Sequence, residues 1–97
     1  MYISTMSDTA SIDPSTLEID QLIGLFIGLL SGKAWEYMGL RLHQGKSELE
    51  KDLVKASLAI DTVDFLVEKL VPTMSSVEAE RIRGMVSDLK LNYARQA

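Results

Sequence analysis

Apolar residues follow three different rhythms along this chain, and each rhythm predicts a helix. From Leu22 to Gly32 every position except Ser31 is apolar or small. From Leu49 onward, Leu53, Ala56, Ile60, Val63, Val67 and Leu70 recur at alternating steps of four and three. That is a heptad seam, which Ala59 and Leu66 widen. Further on, Ala79, Ile82, Val86, Leu89 and Tyr93 recur at similar steps, with Met85 and Leu91 nearby. No segment alternates with the period of two that marks a strand. The pattern therefore predicts an all-α fold of three helices.

Punctuation residues set the expected boundaries. Thr16 is an N-cap candidate, with Glu18 and Asp20 suited to the positive end of the helix dipole. Gly39, following Met38, fits the left-handed position that closes a helix. Ser47-Glu48-Leu49-Glu50 and Ser75-Ser76-Val77-Glu78 each carry the spacing of a capping box. Pro72 ends the second helix, because the residue before a proline disfavours the helical region. The short link after it joins helices two and three as an antiparallel hairpin. Residues 1–15 read as a disordered or loosely attached tail, and residues 16–97 as one helical domain. Met1 and Met6 are both candidate starts.

The first helix is apolar all round. At about 100° per residue, Gly24, Gly28, Gly32, Ser31 and Trp35 share a small-residue stripe. Ile23, Ile27, Leu30, Ala34 and Met38 form a second stripe. Leu22, Phe26, Leu29 and Tyr37 form a third, nearly opposite the glycines. Glycine in a helix interior costs roughly 0.5–1 kcal/mol relative to alanine, so three at four-residue spacing imply a close approach by another backbone. Two further helices cannot cover three apolar stripes. The expectation is a homo-oligomer, with Leu22, Gly24, Phe26, Gly28, Leu29, Gly32 and Trp35 at the helix-packing or oligomer interface. A different soluble protein is the alternative partner.

Charge and chemistry narrow the function by exclusion. The net charge is −4, and residues 1–32 hold four acids and no Lys or Arg. That start carries none of the basic residues that open a secretory signal. It is a poor match to an anionic membrane surface, and no basic footprint for nucleic acid is present. The apolar run covers about 16 Å of helix, against the about 30 Å of a bilayer core, so a membrane span is not expected. The chain has no cysteine and a single histidine, which leaves no zinc site of the usual kind. His43 lies in the expected loop, where a lone histidine is ordinarily exposed. Asp61, Asp64 and Glu68 sit opposite the heptad seam and read as a solvated face. The glycines lack the Lys-Ser/Thr of a phosphate loop. With no nucleophile–base pair, neither an enzyme nor a cofactor is expected. The leading reading is a cytoplasmic structural or protein-interaction module. The alternatives are insertion of part of the first helix into a membrane surface, and a small apolar ligand near Trp35.

Several short runs carry a likeness. Ala34-Trp35-Glu36-Tyr37-Met38-Gly39-Leu40 comes first, then Asp52-Leu53 with Ala56 and Ala59-Ile60-Asp61, then Leu89-Lys90-Leu91-Asn92-Tyr93. In order and spacing they resemble a small bacterial family of unknown function, the DUF eighteen-forty-four family. The likeness covers about two-thirds of the chain. The segment from Gly39 to Ser47 lacks the Asn-Pro element of many members. The resemblance implies a helical bacterial cytosolic protein and brings no activity or catalytic residues with it.

Overall fold

Three helices form in the order the periodicities predict. The structure is a computed structural model that describes residues 13–97. Helix α1 spans Ile19–Tyr37, α2 spans Leu53–Leu70 and α3 spans Ser76–Gln96. Short 3-10 turns at Pro14–Thr16 and Val71–Thr73 complete the elements, and no strand occurs among the described residues. Of the expected tail, residues 1–12 lie outside the described part.

Two starts differ from the sequence expectation. Thr16 does not cap α1. Its hydroxyl donates back to the Asp13 carbonyl at 2.8 Å, because Pro14 opens a 3-10 turn that Asp13 caps. Leu17 is then extended and breaks that turn. The cap passes to Glu18, whose N–H donates to the Gln21 side chain at 3.0 Å. Helix α2 likewise begins five residues later than the Ser47 box suggests, with its N-cap at residue 52 rather than 47. Asp52 is its N-cap and accepts from the Lys55 N–H at 3.1 Å. Residues 47–51 stay irregular and exposed, and Leu49 lies outside the seam. The chain enters α2 where the Asp52 N–H reaches the Tyr37 carbonyl at 2.8 Å. That bond ties the start of α2 to the end of α1, which a helix begun at Ser47 would forgo.

The other boundaries follow their capping chemistry. Gly39 has φ +79°. Its N–H reaches the Glu36 carbonyl, and the Leu40 N–H reaches that of Trp35, at 3.0 and 3.1 Å. This is the Schellman arrangement, which satisfies carbonyls that the helix end leaves free. A Cβ here would stand 3.4 Å from the Glu50 carbonyl oxygen, so the backbone of the loop packs directly on the glycine. At the other hairpin, Ser75 and Glu78 exchange both bonds of a capping box, at 3.1 and 3.2 Å.

Helix α2 is the centre of the molecule, packed chiefly on α1 and also on α3; α1 and α3 meet less. Its seam forms the core: Ala56, Ala59, Ile60, Val63, Val67 and Leu70 are buried. Helix α1 contributes Ile27 and Ala34, and its C-cap Met38, all from the second predicted stripe, together with the buried hydroxyl of Ser31. That hydroxyl donates to the Ile27 carbonyl at 2.7 Å and approaches the Met85 sulfur at 3.8 Å. Helix α3 adds Ala79, Val86 and Leu89. Leu89→Ala is expected to lower the unfolding free energy by about 2–5 kcal/mol, through lost burial and the cavity left behind. Leu91→Ala, at an exposed position two residues on, is expected to stay within about 0.5 kcal/mol. Urea denaturation followed by circular dichroism measures both.

Candidate interaction surface

The seven residues expected at one interface stand on two sides of α1. Leu22, Phe26 and Leu29 are on one side, with Phe26 44% and Leu29 59% exposed. Ile19 continues this row and is 71% exposed. Ile19 is not among the seven expected residues, although its spacing of three from Leu22 marks it as part of the row. Gly24 and Trp35 lie toward the opposite side, while Gly28 and Gly32 line one hollow with Leu29 and Lys33. Trp35 is half-buried against the core.

The glycine stripe is not a close contact within this chain. A Cβ built on Gly24 or Gly28 meets nothing within 4 Å, and one on Gly32 meets only the end of the Arg41 side chain. The three glycines lie on one helix, but α2 and α3 approach α1 elsewhere. The buried approach uses alanines instead: Ala34, Ala56 and Ala59.

On the other side of α1 the surface is apolar and continuous with α2. Between the two helices runs a groove of about 470 Å³, lined by Leu30, Lys33, Tyr37, Lys55, Leu58, Ala59 and Thr62. Leu58 is 67% exposed, and Phe65, two turns along the outer face of α2, is 62% exposed. Lys55 lies over the Tyr37 ring at 5.6 Å, and Lys69 over the Phe65 ring at 5.3 Å. Long cationic side chains thus edge an apolar surface with their stems along it.

The predicted solvated face of α2 has a partner. Arg83 of α3 grips Glu68 through two bonds, at 2.8 and 3.0 Å, and Lys90 reaches Asp64 at 2.7 Å. The Arg83 bonds hold the Glu68 carboxyl below its usual value, and the Asp64 contact holds the Lys90 ammonium above its own. These pairs are exposed to solvent and bridge the α2–α3 hairpin on its outer side.

His43 corrects a second expectation, since its side chain is almost buried rather than exposed. The segment after Gly39 folds back over the end of α1. There the ring packs edge-on against Tyr37 at 4.9 Å, and Nδ1 meets the Glu36 carboxylate at 2.8 Å. Nε2 is buried without a partner. A ring protonated on Nδ1 satisfies the Glu36 contact and leaves Nε2 as a bare acceptor. The histidine ties the loop to the helix. Among the described residues no group of three or more His, Asp or Glu side chains is placed to hold a metal ion, and no helix is long and apolar enough to cross a membrane.

Two outcomes follow from this geometry. Gly28→Ala is expected to raise the unfolding free energy by up to about 1 kcal/mol, because the site is open and alanine is the better helix former; a denaturant midpoint measures it. The Glu68 contribution rests on a lowered carboxyl pKa, so it is present at neutral pH and is lost as pH falls through the carboxylate range. Glu68→Gln is therefore expected to flatten the acid limb of the stability–pH profile, measured as melting temperature from neutral pH downward.

No curated protein and no solved structure matches this chain. A family match covers residues 21–95, from the first turn of α1 to the last of α3, and so takes in the whole three-helix unit. Ala34–Leu40, Asp52–Asp61 and Leu89–Tyr93 all fall inside it. The chain belongs to the family described as Domain of unknown function (DUF1844).

Proposed function

We propose that this protein is a non-enzymatic interaction module of the cytoplasm that acts as a homo-oligomer. The observation that carries the reading is the apolar surface shared by α1 and α2, with Ile19, Phe26, Leu29, Leu58 and Phe65 all exposed. Large apolar side chains grouped on one side of a small domain mark a surface meant to be covered. A second copy is the simplest cover, since most assemblies are homomeric and two-fold. The polar chemistry supports a structural role. Asp64 and Glu68 are engaged with α3, and Glu36 with His43 and Lys33.

Light scattering in detergent-free buffer tests this reading, with a mass at least twice that of the single chain expected at micromolar concentration. A single-chain mass there, with or without detergent, overturns it. Phe26→Asp is expected to yield a helical monomer. Phe26 is a surface residue of the folded chain, so the charge is tolerated there but not in a covered interface. Circular dichroism alongside the mass separates dissociation from unfolding.

A further inference from the structure

The exposed row on α1 has a spacing that the core does not use. Ile19, Leu22, Phe26, Leu29 and Lys33 recur at alternating steps of three and four. That is the pattern of a helix seam, and among the described residues it is unoccupied. The row is also polar at its ends in opposite senses. Glu18 and Asp20 stand at its start, and Lys33 at its finish. Lys55 of α2 stands beside that finish, across the groove from Lys33.

We infer that two copies of this chain pair α1 against α1 in antiparallel fashion about Phe26, with Ile19 of each seated in the α1–α2 groove of the other. This rests on the homo-oligomer reading and assigns its surface and register. A two-fold axis at Phe26 places each residue opposite the one equally far beyond Phe26 on the other copy. Leu22 then faces Leu30, and Ile19, seven residues before the axis, faces Lys33, seven residues after it. Lys33 is in the lining of the groove, and so are Leu30, Tyr37 and Leu58. The most exposed apolar residue of α1 thereby meets the apolar hollow that lacks an occupant.

Charge selects this direction. In the antiparallel register, Glu18 of one copy approaches Lys33 and Lys55 of the other, and the symmetry makes that contact twice. A parallel pairing would set Lys33 against Lys33 and Glu18 against Glu18. Like charges across an interface exclude a register as effectively as opposite charges favour one. Gly28 and Gly32 border the row, in a hollow they share with Leu29 and Lys33.

The test uses the full chain in two independent ways. The natural sequence has no cysteine, so Phe26→Cys gives a protein with a single thiol. A short bis-maleimide is expected to join two such chains efficiently. Arg81→Cys, on the exposed side of α3, serves as the control and is expected to remain unlinked. The second arm is a charge cycle read as the dissociation constant of self-association. Glu18→Lys and Lys33→Glu are each expected to weaken it on the order of tenfold, since each creates two repulsive pairs. The double variant is expected to recover most of the loss. Residues 18 and 33 lie about 22 Å apart along one helix, so recovery arises only between copies. Circular dichroism confirms that each variant keeps its helices. Crosslinking at position 26 together with recovery in the double variant supports the register. An oligomeric wild type with equal linkage at both thiols, or with no recovery, overturns the register and leaves the oligomer standing. A monomeric wild type overturns both.

Discussion

The structure depends on one constraint: α2 is the main neighbour of both other helices. Its inward seam is spent on the core, through Ala56, Ile60, Val63 and Val67. One flank carries Asp64 and Glu68 to the cations of α3. The other flank carries Ala59, Thr62 and Lys55 along α1. Once α2 is shared in this way, α1 receives a neighbour mainly on one side. A helix apolar all round is thereby covered over part of its circumference only. The exposed Phe26 and Leu29 follow from that geometry, and no local defect in packing is needed to account for them.

Alanines make the shared arrangement possible. Ala34, Ala56 and Ala59 are buried, and their small side chains let α1 and α2 approach closely without the entropy penalty of glycine. Methionine and serine complete the contact with α3, where the Ser31 hydroxyl satisfies itself on its own helix and leaves Met85 to fill the gap. Gly24 and Gly28, which promise the tightest approach on paper, meet nothing within 4 Å, and Gly32 meets only the Arg41 side chain.

Much of this was legible from residue spacing. The seam of α2, the Schellman end at Gly39, the stop at Pro72 and the Ser75 box are local or strictly periodic features, and each formed as its chemistry dictates. The two misplaced starts have a common cause. Thr16 and Ser47 are good caps in isolation, but Asp13 with Pro14 captures the first, and the Tyr37–Asp52 bond relocates the second. Local signals do not report which of two competing caps a tertiary contact will choose. The side of α1 that meets α2 was open for the same reason, because three apolar stripes present three admissible answers. His43 was out of reach altogether, since its burial depends on a loop returning to Tyr37 and Glu36.

The bond between the Tyr37 carbonyl and the Asp52 N–H bears on how the chain folds. It brings the ends of two consecutive helices together, and the Val71–Thr73 turn does the same for the next pair. Most interhelical packing is thus between neighbours in sequence, with little loop entropy to overcome before a contact forms. Such low contact order belongs to helical domains that fold in microseconds to milliseconds. Association of separate chains depends on concentration and runs from milliseconds to minutes. The same bond shelters the hairpin from changes in the intervening loop. With both of its ends pinned together, that segment closes at small entropic cost, and His43 fastens it to Glu36 and Tyr37 while α1 and α2 keep their register.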